Sequence, residues 1–240
     1  MSQQLAVILL TCFAPSLAWL GYFYIRDESD RGPLHLVLLV FGGGLLAGPI
    51  SLVLFELIEH VSFYSRLTDI DSVSDGYKFV YAFFAIGLIE EFSKFLVCWW
   101  FVERAHVHYR SPMDGVVYGA AVALGFATIE NWYFMRETLE PVWSRAITLP
   151  FMHVLFASFW GVGLGLARTQ RANSNVVIKG LVLAIIFHGL YDYILLSTVA
   201  PNWLVAPLVL GLWLWVSVAI RQLLEMGPSA LTDGRPGSPP

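Results

Sequence analysis

Two adjacent acids, Glu90 and Glu91, are followed within one helical turn by Lys94, inside an otherwise apolar run over residues 79–102 (FVYAFFAIGLIEEFSKFLVCWWFV). A run of that length crosses a bilayer as a helix. Each ionisable side chain near its middle costs about 2.5 to 3.5 kcal/mol, so such groups persist where they pair, relay or react. A partly desolvated carboxylate can take a proton from water as a general base, and a second beside it can share that proton or fix the water. Glu90 and Lys94 lie about 40° apart around a helix, so the lysine shares the face of the acid and supplies the opposing charge.

Further polar residues sit in other apolar runs: Glu130-Asn131 in GFATIEN, His153 in PFMHVLFAS, and His188 with Asp192 in FHGLYD. Asp192 is one turn after His188, the spacing at which a carboxylate orients an imidazole and sets its tautomer. An amide carbonyl attacked by water develops oxyanion charge, which imidazole and Asn N–H donors can stabilise away from bulk water. The candidate catalytic residues are therefore Glu90, Glu91, His153 and His188, with Lys94, Glu130, Asn131 and Asp192 in support. Glu91, His153 and His188 also offer the oxygen and nitrogen donors that hold a divalent metal such as zinc. Water activation by glutamate and by metal both remain open at this point. HExxH, GxGD and GxSG are absent, which removes the zincin, aspartyl and serine plans of intramembrane hydrolysis.

The elements that must position these residues are membrane helices. Of the 240 residues 57% are hydrophobic and only 13% charged, with mean hydropathy +0.67, against about 25% charged in a soluble domain. The net charge of −4 and the lack of a basic stripe argue against a nucleic-acid partner. Cys12 and Cys98 lie in apolar runs as small hydrophobes, without a metal or disulfide pattern. Apolar stretches near 20 residues long predict seven spans, at 5–25, 34–58, 79–102, 115–134, 147–167, 177–198 and 203–220. The first is read as a retained span rather than a cleaved signal. Gly42-Gly43-Gly44 and Gly48-Pro49 are expected to interrupt the second. The whole is expected to be one all-α bundle over residues 1–226 with its core at about 79–198, followed by a disordered tail at 227–240.

Seven spans place the termini on opposite sides. One side holds nine basic residues (Arg26, Arg31, Arg104, Arg110, Arg168, Arg171, Lys179, Arg221, Arg235) and the other four (Arg66, Lys78, Arg136, Arg145), which predicts the N-terminus outside and the C-terminus in the cytoplasm. In that orientation Glu90 and His188 lie roughly 15 Å below the outer boundary, Asp192 and His153 about 9 Å, and Glu130 about 6 Å. Groups that merely tie helices together would scatter over both leaflets, so the shared level favours a site. Gly115, Gly119, Ala123 and Ala127 recur every four residues, as do Gly161 and Gly165, and such seams let helices approach closely. Glu56, Glu59 and His60 read as interfacial; His35, His106 and His108 receive no role. The acidic connection from residue 59 to residue 78 is a candidate gate to the site.

EEFSK at 90–94, GFATIEN at 125–131, PFMHVLFASFWGVGLG at 150–165 and HGLYD at 188–192, taken in order, resemble the motifs of the PrsW family of intramembrane proteases. The resemblance covers roughly residues 79–195. It implies a multi-pass helical protease of the inner cell membrane that cuts membrane-anchored proteins, in the family's known role an anti-sigma factor on the extracytoplasmic side. It also implies Glu90 or Glu91 as the base and His153 and His188 as oxyanion or metal ligands. The CAAX prenyl endopeptidases and bacteriocin-processing enzymes are more distantly similar. They carry Arg one position beyond Lys94 and Asn in the place of Asp192, departures that weigh against a prenylated substrate. The residues alone also admit a proton- or ion-coupled transporter or channel, or a membrane scaffold that binds peptide without cutting it. Oligomeric state is not legible.

Overall fold

The computed structural model describes residues 2–27, 31–61, 73–104, 109–138 and 140–227, all helix and short connections with no strand among them. The expected tail beyond residue 227, His106 and His108, the side chains of Glu59 and His60, and most of the candidate gate lie outside the described residues. The helices are α1 (Ser2–Arg26), α2 (Leu34–Val61), α3 (Asp75–Val80), α4 (Leu88–Arg104), α5 (Met113–Thr138), α6 (Trp143–Arg168), α7 (Asn175–Leu196) and α8 (Val205–Met226). A π-helical segment, Tyr81–Gly87, joins α3 to α4, and a 3-10 turn, Asn202–Leu204, precedes α8. Six of these helices are long and apolar enough to cross a membrane. The seventh expected span, 79–102, is helical along a continuous path from the end of α3 through the π segment into α4, but it carries Glu90, Glu91 and Lys94 and is not among those six.

Large apolar side chains such as Leu10, Ile25, Val53, Phe84, Ile178 and Leu210 are more than half exposed. Lipid, as apolar as the core, solvates such a surface and does not drive the helices together, so close packing and polar pairing must. That explains α5 at the centre. Its inner positions are rich in Gly, Ala and Val, and from Met113 to Thr128 every residue is buried. It packs between α2 and α6 with α1 behind, α7 lies against α6, and α4 lies against α2. The predicted seam is present: a Cβ on Gly115 would strike the backbone of Gly161 and Gly165, and one on Gly119 would stand 3.4 Å from Ala157 O. α8 closes the outside through Phe159 and Trp215, stacked at 4.0 Å.

The glycines of the second span have a different use from the expected one. α2 runs unbroken through Pro49. Gly44 meets Val122 O and Gly125, Gly43 meets Val97 and Phe101, and Gly48 meets Ile129. The glycines let α5 and α4 approach, and helix continuity survives because each packed face supplies contacts that offset the poor propensity. The irregular backbone lies instead in the π segment. There Gly87 comes against Ile185 O and Gly189 N, 2.8 and 3.1 Å from an added Cβ, while Gly189 comes against Phe83 Cα at 2.8 Å. A π turn often marks a functional site, and this one seats α7, with His188, directly beside the start of α4.

At one end of that contact Asp75 ties α3 to the residues after α7. Its Oδ1 accepts from Ser197 Oγ and the Thr198 backbone N–H, both at 3.0 Å, and its Oδ2 accepts from Thr198 Oγ1 at 3.1 Å. The Thr198 backbone N–H holds the exposed carboxyl below its ordinary range, with the hydroxyls and Lys78 adding to the effect. A lowered folded-state pKa means that this tie is fully present above the usual Asp value of about 3.9 and is lost only as pH falls below it. Amide exchange of Thr198 should accordingly stay protected as pH is lowered to about 4, and a midpoint above that value would contradict the tie.

Gly125→Ala forces a methyl into the α2 backbone and should destabilise the folded state by about 1 to 3 kcal/mol, whereas Gly21→Ala meets nothing within 4 Å and should leave it unchanged. Thermal unfolding in detergent, with both variants side by side, checks this.

Candidate active site

The groups singled out by type and spacing converge. Glu90 (α4), Glu130 (α5), His153 (α6), His188 and Asp192 (α7) all line one cavity of about 570 Å³, with Leu52, Phe55 and Glu56 of α2 and Tyr81 and Ile86 of the π segment on its other side. Five positions spread over about a hundred residues thus reach one chamber.

The two glutamates take different places in it. α4 turns Glu90 toward the cavity, its side chain 12% exposed, while Glu91 is fully buried behind it. Every Glu91 oxygen is engaged. Oε1 accepts from Lys94 Nζ at 2.8 Å and from His188 Nδ1 at 2.9 Å, and Oε2 accepts from the indole Nε1–H of Trp160 at 3.1 Å. Glu90 makes looser contacts: Oε2 is 3.5 Å from Lys94 Nζ and 3.8 Å from His188 Nε2. Glu91 is a strut and Glu90 is the carboxylate that meets the cavity.

Lys94 is buried completely. Besides the two acids it donates to His153 Nδ1 at 2.7 Å and rests 4.2 Å from the centroid of the Phe126 ring, whose face attracts a cation. The far nitrogen of His153, Nε2, is 2.8 Å from Glu130 Oε2, and Glu130 Oε1 accepts from Arg145 Nη2 at 2.6 Å. His188 Nε2 is 3.2 Å from Asp192 Oδ2, and its ring stacks on Phe156 at 4.6 Å. The chain Arg145, Glu130, His153, Lys94, Glu91, His188 therefore links α6, α5, α4 and α7 by unbroken hydrogen bonds, with the Asp192 carboxylate beside its end. In a low-dielectric interior such a network is rigid while complete and costly when broken.

Asn131 stands apart. It is buried away from the cavity, and neither its Oδ1 nor its Nδ2 has a hydrogen-bond partner. Sequence reading missed Trp160 and Arg145. Trp160 lies in an apolar run where nothing in the pattern distinguishes an indole that donates from one that only packs, and Arg145 reads as an ordinary charge at the end of a connection.

Glu90, His153 and His188 can each bring one donor atom within 4.8 Å of the others. Two imidazoles and one carboxylate are the ligand types of a catalytic zinc site, so the donor set fits a divalent metal, with Glu90 in the place that spacing gave to Glu91. His153 would exchange one of its two present hydrogen bonds for the ion.

Lys94→Met removes the ammonium that touches both Glu90 and Glu91 and should cost about 3 to 5 kcal/mol of stability. Adding Glu91→Gln to it should restore part of that loss, which equilibrium unfolding of single and double variants measures; equal instability of the two would mean that the lysine acts by packing alone.

The chain is matched over residues 32–220 by the model of the PrsW family intramembrane metalloprotease. Among curated proteins it is 34% identical to Protease PrsW of Bacillus subtilis, over 84% of this chain and 88% of that one. It is 33% identical to Protease PrsW of Oceanobacillus iheyensis, over 91% and 96%, and 32% identical to that of Geobacillus kaustophilus, over 85% and 86%. No solved structure matches at a significant level.

Proposed function

The chain belongs to the PrsW family of intramembrane metalloproteases, and from that premise we propose that it cuts membrane-anchored proteins with Glu90 as the group that activates the attacking water. It is a multi-pass membrane peptide hydrolase. The observation that carries the reading is the division between the two acids: Glu90 borders the cavity beside His188 and His153, while Glu91 is fully buried with both oxygens already held by protein donors.

Glu90 binds a water in the cavity and takes its proton as the oxygen attacks the scissile carbonyl. The developing oxyanion is met by His188 Nε2–H, which Glu91 holds in place through Nδ1 and Asp192 steadies. Protonated Glu90 then passes its proton to the amide nitrogen, the C–N bond breaks, and a carboxylic acid and an amine leave. Lys94, held by Glu91 and His153, offsets the negative charge of Glu90 in its ionised form. Phe156 and Leu149 line the cavity and limit its water. A divalent ion such as zinc, implied by the family description, would be held by Glu90, His153 and His188 and would supply Lewis acidity and a more acidic bound water.

The depths read from charge counting support a cut on the extracytoplasmic side of a cell membrane. A membrane protein anchored by a single span, of the anti-sigma-factor kind, fits that placement.

Glu90→Gln keeps the shape and removes the base, so cleavage of a single-pass membrane substrate should fall at least about 10²-fold with folding intact. Glu91→Gln should lose activity together with stability, because it opens the contacts to Lys94 and His188. Full turnover by purified Glu90→Gln sinks the assignment. Metal analysis and chelator treatment of the wild type then separate a glutamate-activated water from a metal-bound one.

A further inference from the structure

Arg145 lies outside the four motifs read from the sequence, yet it stands in the wall of the cavity with Glu130 and His153. It sits in the first turn of α6. Its Nη2 donates to Glu130 Oε1 at 2.6 Å, its guanidinium lies 4.5 Å from the Phe134 ring centroid, and its buried Nε–H has no partner. Phe134 and Glu130 are four residues apart on α5, so ring and carboxylate present one face to the guanidinium. The planar cation fits both at once, stacking on one and donating to the other.

The consequence runs inward. Each Glu130 oxygen has one partner, Oε1 the guanidinium and Oε2 the imidazole of His153, so the plane of the carboxylate is fixed from both ends. A carboxylate only accepts and a lysine ammonium only donates. His153 therefore carries its proton on Nε2, toward Glu130, and keeps the Nδ1 lone pair for Lys94. Without the guanidinium, Glu130, whose side chain is 29% exposed, is free to turn toward water. His153 then loses the acceptor that holds its Nε2–H and the direction of its ring, and Lys94 alone bears on it, through Nδ1.

We propose that Arg145 is a positioning residue for hydrolysis: it fixes Glu130, Glu130 fixes the orientation of His153 through its Nε2–H, and His153 holds Lys94 against Glu90 and Glu91. The activity arm of its test rests on the protease reading, whereas the spectroscopic arm does not.

The experiment uses the full chain in detergent micelles as wild type, Arg145→Met, Arg145→Lys, Glu130→Gln, and Arg145→Met with Glu130→Gln. Nitrogen-15 histidine spectra, with His153 assigned through a His153→Gln variant, should show a protonated Nε2 and a hydrogen-bonded Nδ1 in wild type. In Arg145→Met the Nε2–H signal should lose its hydrogen-bonded shift and exchange faster with water, with Nδ1 still accepting from Lys94. An unchanged His153 signal overturns the proposal. Kinetics on a single-pass membrane protein that the wild type cleaves should show kcat reduced about 10- to 100-fold in Arg145→Met, KM within about twofold, and part of kcat recovered in Arg145→Lys. On the Glu130→Gln background the same Arg145→Met change should cost less than about a further twofold. A risen KM with kcat retained, or full multiplication of the two losses, overturns the relay and makes Arg145 a substrate contact or an independent group. If Arg145→Met does not fold, Arg145→Lys carries the comparison, and wild-type kcat with a wild-type His153 signal in it overturns the proposal. A wild type that cleaves no substrate in a broad panel counts against the protease reading, and the histidine spectra still decide the relay.

Discussion

The structure depends on one lysine held among acids inside the membrane. Lys94 has no exposed surface and touches Glu91, Glu90 and His153 together. Hydrocarbon gives two ionised carboxylates on adjacent positions of a helix no compensation of its own, and the ammonium between them supplies it. Once that pair is fixed, the other polar groups follow from satisfying what remains. Trp160 takes the free oxygen of Glu91, His188 shares the other, and Glu130 with Arg145 completes His153. Each supplies a donor or acceptor that would otherwise be orphaned at several kcal/mol.

Four helices must meet within hydrogen-bond distance for this to occur, and the lipid does not press them together. The glycines do that by removing side chains where backbones touch. Gly115 with Gly161 and Gly165 joins α5 to α6, and Gly44 with Gly125 joins α2 to α5. Gly87 and Gly189 join the π segment to α7. The last contact lies next to His188 in sequence, so packing and chemistry are coupled there: a shift of α7 would move the imidazole off Glu91. This explains why an irregular π turn sits in the span that carries the acids rather than in the glycine-rich second helix.

The cavity separates two kinds of residue that type and spacing alone present as equals. Glu90, Glu130, His153, His188 and Asp192 face it, and Lys94, Glu91 and Trp160 stand behind as a charged and hydrogen-bonded wall. The groups in front can touch a peptide bond, and those behind can only hold them. In the proposed hydrolysis that arrangement would keep a loosely bound carboxylate, Glu90, reactive without exposing the rest of the charge behind it.

The sequence by itself determined the helical membrane class and marked most of the polar residues that meet at the cavity, because burial in lipid makes every polar side chain in an apolar run conspicuous. It also marked the α5 and α6 seam through the four-residue spacing of small residues. It could not choose between Glu90 and Glu91, since neighbouring residues on a helix point about 100° apart and only the packing of α5, α6 and α7 tells which direction is the cavity. Nor could it find Arg145 and Trp160, whose roles rest on partners 15 and 69 residues away. Asn131, conspicuous beside Glu130 in sequence, turned out to face elsewhere for the same reason. Local periodicity fixes which face a residue occupies; what that face meets is decided by contacts between helices far apart in the chain.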